Sequence, residues 1–545
     1  MCLADDPAPA AVVAAAPKLD TGDTAWMLTS TALVLMMTIP GLALFYGGLV
    51  RSKNILSVLM HSLFCAALVS VLWVVVGYSI AFGSTKGGWC GGFDFFMLKD
   101  VIGKTNALAP TIPGFLFVVY QLTFAVITPA LISGAFAERM RFRAFALFTT
   151  LWALLIYAPL AHWVWGGGWI ATKIGALDFA GGTVVHISSG ISALVTAMYL
   201  GKRVGYGHDP MTPHNLPFTV IGAGLLWVGW FCFNAGSALG SNELASIAML
   251  NTNTAAAAAA LGWLVAEVLR GGKPTILGAA SGAVAGLVVI TPAAGFVTPG
   301  ASIAMGALGG MVCYLAVSLK PKFGYDDALD VVGVHFVGGT LGAILTGVFA
   351  TKAINGAIPT LTTGAGDAVG GIVENGLFYG GGTGLVLKQL VAVGATILYC
   401  GVGTLVLLIA VNALTKVRAT REEEVDGLDL SQHSERAYAF GGGETAAVAG
   451  AEPKPAMSPP IFGERFTVAL EGVDAVAMMD RWRSLCQEST KPATPAFKDL
   501  YARVTTVRGS RFRFRGGDRE ATRKQVQSLF ADLGPGVNAK VEDNL

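Results

Sequence analysis

Charge is scarce in this 545-residue chain: Asp, Glu, Lys and Arg make up 13% of it, about half of the ~25% usual in soluble domains. That deficit excludes an ordinary water-soluble globular protein. The charges present nearly cancel, at a net +2, so the overall balance points to no nucleic-acid partner. The seven cysteines, Cys2, Cys65, Cys90, Cys232, Cys313, Cys400 and Cys486, are scattered, with no CxxC pair and no metal-ligand spacing; they read as small membrane hydrophobes. The sequence displays no nucleophile–base set, metal cluster or phosphate loop, which argues against an enzyme and against a bound cofactor or metal. The N-terminus MCLADDPAPAAVVAAAPKLD has no basic stretch before its short Ala/Val run and makes a poor signal peptide. Residues 1–23 read either as the remnant of a processed one or as an extracytoplasmic leader.

Long apolar runs stand in place of the missing charge. Hydrophobic residues make up 53% of the chain and its mean hydropathy is +0.61. With ~20 apolar residues per bilayer crossing, eleven spans are expected, at about 26–46, 55–82, 114–137, 144–164, 183–200, 217–235, 244–269, 275–294, 301–319, 331–350 and 387–414. An odd number puts the termini on opposite sides. Loops after odd-numbered spans carry eleven basic residues: Arg51, Lys53, Arg139, Arg141, Arg143, Lys202, Arg203, Arg270, Lys273, Lys320 and Lys322. Loops after even-numbered spans carry five: Lys86, Lys99, Lys104, Lys173 and Lys352. The richer set marks the cytoplasm, which places the N-terminus outside and the tail from Lys416 inside a cell (inner) membrane. Seventy glycines suit close helix contact in lipid, where association rests on packing.

The spans look duplicated. TVVHISSG in the fifth and GVHFVGGT in the tenth each set a histidine in a Gly/Ser-rich helix, with Asp178 and Asp330 ahead of them, and GLALFYGG echoes GWFCFNAGS. Two halves of five spans each sit in opposite orientations, the inverted plan that places a site between them near the midplane. Past the last span the chain turns polar, then runs through a Gly/Ala/Pro linker at 441–461. From 462 to 545 a strand at 464–470, a helix at 474–486, strands at 501–507 and 510–516 and a helix at 518–534 are expected. The fold class is therefore an all-α polytopic membrane protein of eleven helices in a five-plus-five inverted repeat, with a small soluble α/β, ferredoxin-like domain at its C-terminus.

An ionisable residue inside a span is by default a pathway or relay candidate, and His186 and His335 are two such residues in similar settings. Taking a bare ammonium-sized cation into an apolar cavity costs tens of kcal/mol in the Born limit. Removing a proton from a group of pKa ~10 at pH 7 costs about 4 kcal/mol. Deprotonation is the cheaper route, and two neutral imidazoles offer a small amine both an acceptor and a donor. A cation must first be collected, which aromatic faces do without a full negative charge. Tyr120, Phe124, Trp163, Trp165, Phe231 and Phe233, with a hydroxyl at Ser237, stand at the expected external ends; any one of them alone also fits an interfacial aromatic belt.

At this point GLALFYGGLVRSKN (41–54), ITPALISGAFAERMRF (127–142), HWVWGGGW (162–169), GALDFAGGTVVHI (175–187), TPHNLP (212–217), GWFCFNAGSA (229–238), NTNTAAAAAALGW (251–263), GLVVITPAAGFV (286–297) and GVHFVGGT (333–340) resemble, in order, the motifs of the ammonium transporters of the Amt/Mep/Rh superfamily. The resemblance spans residues 24–438. It implies a transporter domain over 24–415 with an external recruitment site at Phe124, Trp165, Ser237 and Tyr120. It further implies a gate of Phe124 on Phe233, a pore lined by His186 and His335, and Asp178 ordering backbone near the recruitment site; a helix N-terminal cap at Asp178 is compatible with that role. A homotrimer with one pore per protomer is implied as well, as is a cytoplasmic tail over 416–440 that meets a PII-type signalling protein in many bacterial members. Tyr120 stands where some members have Phe and Cys232 where some have Gly.

Other candidates read as structural. His162 is expected to hydrogen-bond its neighbours at a helix end, Glu267 to snorkel or pair with Arg270, and the basic run 508–524 to form a solvated face. The expected function is ammonium transport: NH4+ is recruited outside and deprotonated, and NH3 passes the histidines while a relayed proton makes the process electrogenic. The alternative is an ammonium sensor read out through the C-terminal domain.

Overall fold

In lipid each backbone N–H must find its acceptor within the protein, so a chain this apolar folds as helices. A computed structural model describes residues 18–355, 361–362, 368–369, 374–438, 465–471, 504–508, 511–515, 518–530 and 538–542. It divides into two compact units, Met1–Phe440 and Gly441–Leu545.

In the first unit, ten helices among the described residues are long and apolar enough to cross a membrane. They are α1 (Thr21–Leu49), α2 (Ser52–Phe82), α3 (Gly114–Phe136), α4 (Phe142–Val164), α5 (Gly182–Leu200), α6 (Leu216–Ala238), α7 (Glu243–Leu269), α9 (Pro299–Phe323), α10 (Val332–Phe349) and α11 (Gly384–Leu414). The segment expected as the eighth span forms a shorter helix, α8 (Ile276–Ile290), of 15 residues. Pro292 has no N–H to continue the ladder, and the chain turns through 291–297 instead. Starts follow local chemistry: Asp20, Asn215, Asn242, Thr275 and Thr298 each accept a backbone N–H of the following first turn. The Asp20 cap starts α1 at Thr21, ahead of the expected 26. Within α1 the turn widens over Met37–Leu42 around Pro40, whose ring displaces the regular ladder.

Small residues set the helix spacing. A Cβ on Gly306 or Gly310 of α9 would stand 2.3 or 2.1 Å from the carbonyl oxygens of Ala255 and Ala259 in α7, so these two backbones touch directly. At one end of the bundle, loops and tail are tied by buried charge. Arg203 donates to Asp326 at 2.9 Å and to Glu138 at 3.2 Å, while Arg51 reaches Glu138 at 2.6 Å. The tail helices α12 (Arg421–Asp426) and α13 (Leu428–His433) close over this end. There Glu424 accepts from Val204 N at 2.9 Å and from Arg418 at 2.8 Å, and Asp429 accepts from Ser57 N at 2.8 Å.

The second unit contains an antiparallel sheet of β5 (Arg465–Glu471), β6 (Val504–Arg508), β7 (Arg511–Arg515) and β8 (Asn538–Glu542) in the order β6-β7-β5-β8, with helix α14 (Arg519–Leu529). In the first unit, the two-residue pairs β1–β2 (Thr85–Lys86, Cys90–Gly91) and β3–β4 (Leu361–Thr362, Ala368–Val369) are the remaining strands among the described residues. Val468 faces both Phe512 and Val541 in register, and Phe512 packs on Phe530 at 5.2 Å. The expected helix at 474–486 and the linker at 441–461 lie outside the described residues, as does the leader up to residue 17.

Candidate functional site

Helices α5 and α10 both begin inside the bundle, and each begins with a wide turn, Gly182–Ile187 and Val332–Phe336, that carries a histidine. The starts are capped by carboxylates. Asp178 accepts from the backbone N–H groups of Gly181, Gly182, Thr183 and Val184 at 2.8, 2.6, 2.8 and 3.2 Å, and from the Thr183 hydroxyl. Asp327 accepts from Val332 N at 2.7 Å. Burial pushes both carboxyls above their ordinary value, Asp327 to about 6, against the pull of these donors and, at Asp327, of Lys320. Each acid stands eight positions before its histidine. The counterpart of Asp178 is thus Asp327 and not Asp330, which instead pairs with Lys320 at 2.5 Å.

His186 and His335 meet at Nδ1···Nδ1 3.2 Å with ring planes 26° apart, and both are buried. That approach depends on Gly190, where a Cβ would lie 2.3 Å from Phe336 N. A neutral pair can make this bond in one way: one ring donates Nδ1–H and the other accepts. The donating ring then has a bare Nε2 and the accepting ring an Nε2–H. The pair therefore presents one acceptor and one donor. His186 Nε2 is buried without a hydrogen-bond partner among the described residues.

Apolar rings frame the imidazoles. Trp230 stacks on His186 at 5.4 Å and 23°, held by its Nε1 donating to Thr291 Oγ1 at 2.8 Å. Phe233 follows at 6.3 Å from His186, and Phe124 covers Phe233 at 4.4 Å. The cavity between His186, His335, Trp230, Phe233, Tyr46 and Ile127 amounts to about 10 Å³, close to the smallest space that holds a single water. Above the phenylalanines, Trp165 lies 5.8 Å from Phe124 and Tyr120 lies 5.2 Å from it. Trp165 Nε1 donates to the Asp178 carbonyl at 3.0 Å. The Tyr120 hydroxyl is 3.0 Å from the Cys232 and Phe233 carbonyls and 3.3 Å from Ser237 Oγ. Ser237 also donates to the Phe233 carbonyl at 2.8 Å.

The seven residues that the resemblance assigns to recruitment, gate and pore, Tyr120, Phe124, Trp165, His186, Phe233, Ser237 and His335, thus fall in one column, with Asp178 beside it; Trp163 instead packs on Tyr399 at 4.4 Å and donates to the Trp89 carbonyl at 2.7 Å. Trp230, Thr291 and Asp327 were not singled out; Asp327 was discoverable from its matching offset to His335. His162 bonds Ala81 O at 3.0 Å and Thr85 Oγ1 at 2.9 Å, as expected of a helix-end residue. Glu267 does not pair with Arg270: it accepts from Thr275 N and Oγ1 at 2.9 Å each, while Arg270 sits 5.8 Å over the Tyr314 ring.

Comparison with known proteins gives this column its context. The chain is 53% identical over 421 residues to an ammonium transporter of Bacillus subtilis, covering 77% of this chain and 99% of that protein. It is 50% identical over 423 residues to one of Aquifex aeolicus, covering 77% and 94%. Among solved structures, Saccharomyces cerevisiae Mep2 aligns with a TM-score of 0.67 at 36% identity over 74% of this chain and 88% of that one. A structure described as a sensor Amt protein aligns with a TM-score of 0.66 at 27% identity, over 75% and 98%. The sequence profile of the Ammonium Transporter Family matches residues 25–438, and the chain belongs to that family.

Proposed function

We propose that the protein carries ammonium across the cell membrane by dismantling the ion and passing its parts separately. NH4+ is held outside by the faces of Trp165 and Phe124 with the Ser237 and Tyr120 hydroxyls. It loses a proton at the Phe124–Phe233 gate and crosses as NH3 past His186 and His335. The observation that carries this reading is the histidine pair: a 3.2 Å Nδ1 contact inside an apolar sleeve leaves one Nε2 acceptor and one Nε2–H donor, which suits NH3 and offers a cation no countercharge. The cost comparison points the same way, about 4 kcal/mol for deprotonation at pH 7 against tens for a bare ion. The shared Nδ1 proton also gives the released proton a relay, which makes transport electrogenic.

The same reading places eleven crossings, α8 included, in two inverted halves, supported by the matched Asp178–His186 and Asp327–His335 offsets. It sets the N-terminus outside and the tail inside, with three protomers each holding its own pore and the tail at 416–440 available to a PII-type protein. A pulse of ammonium on proteoliposomes tests the core of it: inward current is expected, uptake without current would remove the relay, and neither would overturn the transport reading.

A sensor function is the second reading. It is favoured by the likeness to a sensor Amt protein and by the separate C-terminal unit, whose strand order matches a ferredoxin-like soluble domain over 462–545. Deleting 441–545 tests it: unchanged uptake with a lost cellular response supports signalling, and an unchanged response removes it.

A further inference from the structure

On the side of His335 away from the gate, the lumen widens into a cavity of about 240 Å³ whose lining includes Tyr46, Trp263, Glu267, Tyr314, Asp330 and His335. Its lining contains two carboxylates and, among the described residues, no lysine or arginine. The two acids are not equivalent. Lys320 holds Asp330 at 2.5 Å, whereas Glu267 has no ion-pair partner among the described residues. The Glu267 carboxylate is nonetheless fixed in place. Thr275 N and Oγ1 each donate to it at 2.9 Å, and Gly278 leaves the room it needs, since a Cβ there would stand 2.1 Å from Oε1. The opposite mouth differs in kind: its acid, Asp178, is spent on four backbone N–H groups and a hydroxyl, leaving rings and hydroxyls to meet the ion.

We propose that this cavity is a second cation site, an exit chamber in which Glu267 and the face of Trp263 hold an ammonium ion. The proposal rests on the transport reading and extends it to the cytoplasmic side. NH3 leaving His335 takes back on its lone pair the proton removed at the gate, so the N–H bond broken on one side is remade on the other and one NH4+ enters for one delivered. A fixed carboxylate beside an aromatic face lowers the free energy of that product ion. Ammonium already in the cytoplasm therefore binds at the chamber and opposes further delivery, so the transporter reads its own product.

The test uses the full-length protein in right-side-out and inside-out membrane vesicles, with ammonium-evoked current recorded as ammonium is raised on the exposed face. Glu267→Gln keeps an acceptor for Thr275 and removes the charge. It is expected to raise the half-saturating concentration from the cytoplasmic face by roughly tenfold, the factor for losing about 1.4 kcal/mol, and to leave that from the external face unchanged. Equal shifts on both faces, or none on either, would overturn the chamber. Thr275→Val removes one of the two donors that fix the carboxylate but keeps its charge, and is expected to shift the cytoplasmic face in the same direction as Glu267→Gln but by less; a shift as large as that of Glu267→Gln would assign the effect to the loop's support rather than to the charge and overturn the chamber as well. Wild-type vesicles silent from both faces would contradict transport itself, a result distinct from current with an unshifted variant.

Discussion

The chemistry of the pore is decided at single atoms. Sharing one proton between two Nδ1 atoms makes the outward nitrogens of His186 and His335 unlike, and the proposed passage of NH3 uses this difference. The Asp178 side chain has the opposite task of being consumed by the backbone. Asp178→Ala would strand four N–H donors in a buried position, at about 1–3 kcal/mol each before relaxation. We expect this variant to lose ammonium current and to unfold in detergent at a clearly lower temperature; a variant with wild-type melting and current would contradict the role. The histidines were legible in advance because an ionisable residue in an apolar run is costly and hence conspicuous, and the aromatic members followed from the resemblance of their motifs. Asp327 was not singled out, since DDALD offers three acids and only the eight-residue offset shared with Asp178 and His186 selects among them. Trp230 was hidden for the opposite reason: one more aromatic in a span carries no signal until His186 is seen stacked on it.

Elements bring those atoms together through the glycines. Gly190 lets α5 touch the Phe336 backbone of α10, and the histidine contact lies beside that crossing. Gly190→Val is expected to push the two helices apart by an ångström or more, enough to break a 3.2 Å hydrogen bond, and to abolish current while the protein still reaches the membrane. Retained current would show that the helix crossing does not set the histidine distance. The spans themselves were readable from hydropathy, with α8 as the informative exception: its apolar run is long enough on paper, but Pro292 ends the helix at Ile290. Thr291, the first residue past that end, accepts the Trp230 indole N–H at 2.8 Å. Periodicity and composition do not register such a use of a helix terminus.

At the scale of the whole molecule, one end of the bundle is tied by charge and the other is built of rings. Burial alone would raise Glu138 and Asp326, but the guanidiniums of Arg51 and Arg203 at Glu138, and of Arg203 and Arg139 at Asp326, hold both carboxyls below their ordinary values. Burial brings Arg139 itself down to about 10, so it remains charged at neutral pH. Carboxyls depressed in the folded state stabilise it fully above their unfolded pKa of about 4 and lose that contribution as pH falls through the folded value. These depressed carboxyls make the melting temperature drop below about pH 4, whereas Asp327, raised by burial to about 6, adds stability as pH falls through that value, so the melting temperature is expected to rise slightly from neutral pH to about 5 before it falls. Asp326→Asn should melt lower at neutral pH, because Arg203 is left buried and underpaired, and should show a shallower acid drop. An unchanged acid slope would mean the cluster does not tie this end together.

The central claim is that the ion never crosses intact, and potassium tests it most directly, being similar in size to ammonium and unable to give up a proton. In proteoliposomes the wild type should give current with ammonium and none with potassium, while His186→Ala and His335→Ala, which remove the donor–acceptor pair, should admit potassium or fall silent. Potassium current through the wild type, or full ammonium selectivity in both variants, would contradict it.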